Sequence, residues 1–364
     1  MEPIKYTENR GFVFIDWLAV KQRHFERLPI VNGSVIVKCD EDGEIEYHLL
    51  GYKAHKGSYE TTINVRCDGN TIHIAGNPSR YNKLDNVFGI PDINACLAIY
   101  NEILEVYGLP NLELGKAEIT RIDLTENICV GENNAKIFLN YISSVNYRGE
   151  HGYIYPNMNT VDWHRGSRRH YLKAYLKAPE IERFIRKNKK TLSDEEISYL
   201  LLLKQQCEKS GVVRIEYTMK SQLLAEKDCK IVRGDTMGKV INMFHKKNPL
   251  ENKVTTSNTD SHNIYERAIE AGFTKRVANN LVDLYELWLH GADLKQRMSI
   301  NTYYIAKKRL SMLGIDVSKP MDITRLTHSI KPIEFIRIGP SDLYNSYLYK
   351  ALRIAQERRR IASV

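Results

Sequence analysis

In the first half of the chain, apolar and polar residues alternate at period two over several short stretches, as they do in strands with one buried face. Residues 61–66 and 71–75 show this pattern and flank the turn signal Asp68-Gly69, while the apolar-rich stretches 12–18 and 33–38 also read as strands. Residues 92–107 change period: Ile93, Cys96, Leu97, Tyr100, Ile103 and Leu104 recur at helical spacing, and Gly108 ends the run. A strand over 118–127 follows, then a helix over 133–143 with Ile137, Phe138, Tyr141 and Ile142 expected inward. Two more strands, 159–164 and 168–177, are joined across Arg165-Gly166-Ser167. Pro179 opens a basic helix, a further helix covers 194–208, and Gly211 introduces a strand over 212–219. Hairpins with helices laid on them predict an α+β fold around a largely antiparallel sheet.

Residues 246–262 are polar, contain Pro249 and lack periodicity, so they read as a linker between a domain at 1–245 and a helical one at 263–364. In that second part Val277, Leu281, Leu284, Tyr285 and Trp288 form an amphipathic stripe that ends at Gly291, and a second helix covers 302–313. This layout suits a helix-turn-helix, winged or plain, and equally an ordinary helical hairpin.

The charge is uneven. Of a net +9, residues 145–190 carry eleven bases against four acids, net +7. Such a run is either a solvated surface or a track for a phosphate backbone. No apolar run approaches the roughly 18 residues needed to cross a bilayer, and no secretion signal is visible, so no membrane partner is expected. Cys39, Cys67, Cys96, Cys129, Cys207 and Cys229 are scattered without a paired spacing and read as reduced cytosolic thiols. There are 22 Tyr against 9 Phe and 3 Trp. A basic, tyrosine-rich chain makes nucleic acid the first partner to test.

Three predicted strands carry chemistry on their polar faces. Arg121, Asp123 and Thr125 share one face of the first, opposite Ile122 and Leu124; Arg214, Glu216 and Thr218 share one face of another, opposite Val213, Ile215 and Tyr217. Two carboxylates on neighbouring strands suit a hard cation such as Mg²⁺ or Mn²⁺; the alternative is a salt bridge within each strand. On the third strand Tyr171, Lys173, Tyr175 and Lys177 line one face. Lysines beside a tyrosine are expected to favour its phenolate, a competent nucleophile for a phosphodiester, and to steady charge on the transferring group. His73 is a further ligand candidate, Asp16 is ambiguous, and the turn-rich loop with Arg80 and Lys83 suits either structure or DNA contact.

The stretches HKGSYETTINV, GNPSRYNKLDNVFG, ITRIDLTEN, NTVDWHRGS, LKAYLKAPE and VVRIEYTMK occur in the order found in the gene II protein family of filamentous-phage replication initiators, which the chain resembles over roughly residues 12–224. The resemblance implies an HUH-like, rolling-circle endonuclease. Such a protein nicks the plus strand of double-stranded origin DNA, stays joined to the 5′ phosphate through a tyrosine, and later reseals the displaced single strand. On that match Tyr175 is the nucleophile; the spacing of Tyr171 and Tyr175 is that of two-tyrosine initiators and makes Tyr171 a candidate second nucleophile, though the match itself supports Tyr175 alone. Asp123 and Glu216 match the family's acidic strand positions and are the metal candidates; His73, from its own strand position, is a third, and Mg²⁺ or Mn²⁺ is the cofactor expected for carboxylate ligands. The histidine pair of the HUH signature is absent, since TIHIAG supplies one histidine. Arg80, Lys83, Arg121, Arg165, Arg168, Arg169 and Arg214 are the expected DNA contacts. Host helicase and polymerase are the expected partners in the host cytoplasm, and self-association is left open. The alternatives are a non-catalytic origin- or operator-binding regulator and a plasmid mobilisation relaxase.

Overall fold

The structure is a computed structural model describing residues 11–144, 146–147, 150–247, 261–289, 292–313, 315–318 and 335–362. It divides into two compact units. The first is built on β1 (Phe14–Arg23), β2 (Thr62–Asp68), β3 (Thr71–Gly76), β4 (Glu118–Cys129), β5 (Tyr153–Ile154), β6 (Thr160–Trp163), β7 (His170–Leu176), β8 (Val212–Lys220) and β9 (Ile336–Ile338). Its sheet runs β5-β6-β7-β8-β4-β1-β3-β2, with Ile30–Val31 beyond β2 and β9 paired to β4 where β1 leaves it. Every pairing between these strands is antiparallel. The fold is therefore α+β with a large antiparallel sheet, as the alternation of strand and helix signals predicts.

Local chemistry explains the boundaries. Helix α1 (Ile93–Val106) starts where the Asp92 side chain accepts from the Asn94 N–H. It packs on the sheet, and the buried Tyr100 hydroxyl donates to the Leu18 carbonyl at 2.6 Å. In the helix Ala135–Ser144, Phe138, Leu139 and Ile142 are buried while Ile137 is 57% exposed, so the inward stripe is one step from the one expected. Between β7 and β8 lie α2 (Lys177–Asn188) and α3 (Asp194–Ser210). Helix α3 opens on a capping box between Ser193 and Glu196 and closes on Gly211 at φ +61°. A Cβ on Gly211 would lie 2.1 Å from the Gly131 carbonyl oxygen, so this turn into β8 needs glycine on both counts.

Residues 335–362 belong to this first unit, since β9 extends the sheet and the helix Ser346–Ala362 packs on α3. This corrects the boundary expected from the sequence pattern, which groups them with the helical part. No period-two run marks a strand of three residues, so its place is set by tertiary pairing.

The second unit contains α4 (Ser261–Glu270), α5 (Lys275–Leu289), α6 (Leu294–Arg297) and α7 (Ile300–Met312). Ile264, Leu281, Tyr285, Leu294, Tyr303 and Leu310 form its core. Asp293 and Ser299 cap α6 and α7 by accepting from the N–H groups of Lys295 and Thr302. Of the expected linker, residues 248–260 lie outside the described residues, as do residues 290–291 of the expected turn.

Candidate functional site

Antiparallel pairing stacks the polar faces of β7, β8, β4 and β1 into three rows. Tyr175, Arg214 and Asn127 form one; Lys173, Glu216, Thr125 and Phe14 the next; Tyr171, Thr218, Asp123 and Trp17 the third. Residues opposed in register point to the same side, so a period-two pattern on each strand becomes a continuous polar surface. Asp16 joins it through a bulge. The β1–β4 register slips between Ile15 and Trp17, leaving Asp16 as the extra residue, and bulges re-aim side chains in this way. Phe14 closes one end of the surface as part of an apolar cluster with Val87, Phe88, Tyr199 and Leu203.

Glu216 is the hub. Its Oε1 accepts from the Tyr175 hydroxyl at 2.5 Å, and its Oε2 lies 2.5 Å from Lys173 Nζ. The same ammonium stands 4.7 Å from the Tyr175 ring centroid. Asp123 is gripped by Arg121 through two bonds, 2.9 and 2.6 Å. Asp16 Oδ1 accepts from Asn77 at 3.0 Å and lies 3.6 Å from Arg214 Nη1. Arg214, fully buried, donates to Asn127 Oδ1 at 3.0 Å and to the carbonyls of Asn86 and Val87 at 2.6 Å each, without bonding Glu216.

Burial and the neighbouring Glu216 charge hold the Tyr175 hydroxyl well above the usual tyrosine range. The expected phenolate is thus corrected: the charge of Lys173 is directed to Glu216, and the phenol keeps its proton. Burial would raise Glu216 too, but Lys173 and Arg214 outweigh it and keep the carboxylate ionised below its ordinary value. Asp16 is pushed up to about 6, by burial and then by the Glu216 charge. Burial also lifts Asp123, against the opposing pull of Arg121. The face therefore holds an ionised acceptor on a proton-bearing phenol, with two more carboxyls raised because burial outweighs the arginines beside them.

Residues 14–237 match the family model for the N-terminal part of the gene II replication-associated protein, a span that includes every side chain of the three rows. Residues 273–353 match the model for the C-terminal part of the same protein. The chain belongs to the gene II family of filamentous-phage replication initiators. It is similar to the gene II replication-associated protein of Escherichia phage If1, with 27% identity over 294 residues covering 73% of this chain and 90% of the relative. The corresponding protein of Enterobacteria phage I2-2 is 22% identical over 363 residues, covering 94% of this chain and 99% of the relative.

Within this gene II family chain the expected site residues fall into three groups. Tyr175, Lys173, Glu216, Asp123 and Arg121 come together as described. Others are displaced from their expected roles. Lys177 is the first residue of α2, not part of the strand face; it is fully buried and bonded to Glu180 and, at 2.7 Å, to Asn86 Oδ1. Arg214 is enclosed, with its guanidinium held by Asn127, Asn86 and Val87 and no exposed surface for the DNA contact expected of it. Arg80 lies 4.1 Å over the Phe184 ring, partly buried near Glu180, Asp16 and Asp85. His73 pairs with Lys21 and Arg66, four residues along β1 from Trp17, or about 13 Å at strand rise. It stands apart from Asp123 and Glu216, and the bulged Asp16 is the third carboxylate near them. Tyr171 lies on the same face but donates to Asp162 at 2.9 Å. The third group is exposed: Lys83, Arg165, Arg168 and Arg169, the last paired with Glu226. Glu180 and Asn86 are not legible in the sequence, because their roles come from helix and loop packing that no strand period reports; Asn127 lies on the β4 polar face, but its part in holding Arg214 depends on the neighbouring strand.

Proposed function

We propose that this gene II family initiator starts rolling-circle replication by nicking the plus strand at the origin, with Tyr175 as nucleophile and Glu216 as its general base. The Tyr175–Glu216–Lys173 chain of contacts carries the reading. A phenol held above its normal range attacks only as its proton leaves, and Glu216 is the acceptor already bonded to it. Tyr175 Oη forms the new bond to phosphorus while the bond from phosphorus to the 3′-oxygen breaks. The phenolic proton passes to Glu216, and the departing 3′-oxygen takes one from solvent. The 5′ phosphate remains on Tyr175, and the 3′-OH is left to prime synthesis by host helicase and polymerase in the host cytoplasm. Lys173, beside both partners, offsets charge on the transferring phosphoryl oxygens. Reversal of the same step reseals the displaced strand.

Asp16, Asp123 and Glu216 offer only oxygen donors, and the buried Thr125 hydroxyl beside them has no hydrogen-bond partner. That donor chemistry fits a hard ion such as Mg²⁺ or Mn²⁺. Among the described residues no three His, Cys, Asp or Glu side chains are grouped as a metal site, so an ion would compete with Arg121, Arg214 or Lys173 for these carboxylates. Once bound, it would polarise the scissile phosphate. Among the described residues no helix is long and apolar enough to cross a membrane.

A non-catalytic regulator would need both strand carboxylates tied to their own arginines. Asp123 is tied to Arg121 in this way, whereas Glu216 is left to Tyr175 and Lys173. The test is nicking of supercoiled origin DNA with Mg²⁺ or Mn²⁺. Tyr175→Phe should abolish it while keeping DNA retention, and EDTA should stop it in the unaltered protein. Full nicking by Tyr175→Phe would exclude the assignment.

A further inference from the structure

At the β5 edge of the same sheet lies a group of tyrosines that the nicking step does not use. Asp162 on β6 is opposed by Lys173 on one side and Tyr153 on the other, so the Glu216 row continues to the edge strand. One oxygen of the buried Asp162 accepts from two phenols, Tyr155 at 2.8 Å and Tyr171 at 2.9 Å. Its other oxygen is buried without a hydrogen-bond partner. The Tyr153 and Tyr155 rings meet edge to face with centroids 5.1 Å apart, and the Arg165 guanidinium lies 5.7 Å over the Tyr155 ring. Tyr153 is 55% exposed, and Arg165, Arg168 and Arg169 are exposed on the adjoining turn.

We infer that Tyr153, Tyr155 and Tyr171 form a stacking shelf for unpaired bases of single-stranded DNA beside the scissile phosphate. The shelf deepens the proposed nicking function and rests on it for what lies next to it. Three features argue for this partner. Aromatic faces bordered by arginines are the combination that holds single strands, because every base has a π-face and every nucleotide a phosphate. The Tyr155 and Tyr171 rings, fixed through their hydroxyls by Asp162, have already lost rotational freedom, so stacking on them costs less ordering entropy. The shelf also lies in line with the reacting groups: Tyr171 precedes Tyr175 by four residues on one strand face, about 13 Å at strand rise. A strand lying across the rings thus reaches Tyr175 within a few nucleotides. Tyr171 is given a binding role here, in place of a second nucleophile.

Stacking is tolerant of sequence, so the origin need not be known. The probe is a mixed-sequence single-stranded oligonucleotide carrying 2-aminopurine, compared with the same oligonucleotide as duplex, on full-length protein bearing Tyr175→Phe. Tyr153→Ala and Tyr155→Ala should each weaken single-strand binding about tenfold and remove the quenching of 2-aminopurine, with duplex affinity unchanged. Tyr153→Trp and Tyr171→Phe, which keep a ring, should retain both signals. Unchanged single-strand affinity and quenching in the alanine variants would overturn the shelf, and so would equal losses for single strand and duplex. If the Tyr175→Phe protein still cuts the oligonucleotide, the nucleophile assignment fails, while the alanine series still decides the shelf.

Discussion

Strands β4 and β8 carry the same device, an arginine two residues before a carboxylate on one face, and they use it in opposite ways. On β4 the half-exposed Arg121 turns along its own strand and takes Asp123 in two parallel bonds. On β8 Arg214 turns into the protein, where Asn127 and two loop carbonyls hold it, and Glu216 is left to residues of the neighbouring strand. The cause is position in the sheet. Arg121 lies at the open end of the polar surface, beside Trp17. Arg214 lies under the loop carrying Asn86 and Val87 and next to the Phe14 ring, so its charge has to be satisfied internally. A pattern in one strand decides which face a side chain occupies; the neighbouring strand and the covering loop decide its partner.

The contrast breaks most readily at the carboxylates. Glu216→Gln keeps the shape of the hub but removes the proton acceptor, and nicking should fall about a hundredfold or more in a supercoiled-DNA assay. Arg121→Ala should cost far less; an equal loss would mean that β4 and β8 are equivalent. The arginines should differ in the reverse sense for stability. Arg214→Met leaves Asp16 and two carbonyls without their cation and should lower unfolding stability by about 3–5 kcal/mol in urea titrations. Arg121→Met, at a partly exposed pair, should change it by about 1 kcal/mol or less.

The residues that sequence patterns reveal are those whose role depends on face alone. Period two places Arg121, Asp123, Lys173, Tyr175 and Glu216 on polar faces, and the gene II resemblance singles out Tyr175. The Asp68-Gly69 hairpin and the helix at Ile93–Val106 are equally readable, because turn chemistry and capping are local. What escapes depends on tertiary structure. Lys177 continues the strand pattern, yet the chain turns into α2 at that residue and buries its ammonium against Glu180 and Asn86. His73 shares a favourable strand face but on a strand beyond β1. Asp16 reaches the site through a register slip that alternation cannot show.

A smaller effect sharpens the view of Asp16. In the metal-free protein the folded state keeps its proton up to about pH 6, whereas the unfolded chain releases it near 3.8. Between those values the folded state binds more protons, so this group's contribution to stability declines as pH rises across that window. Asp16→Asn should flatten the decline in urea unfolding measured with EDTA present. The smallest effect belongs to the exposed turn. Arg168→Ala should reduce the slope of log binding constant against log salt by about 0.9 on duplex, with nicking chemistry unaltered.

The most direct test of the central claim is to trap the covalent product. The unaltered protein is incubated with origin-containing single strands and Mg²⁺ or Mn²⁺, then digested, and the DNA-linked peptide is mapped by mass. A 5′-phosphoryl adduct on Tyr175 is the predicted result. An adduct on Tyr171 or on any other residue, or no adduct while strands are cut, would contradict the assignment of Tyr175 and Glu216 as the reacting pair.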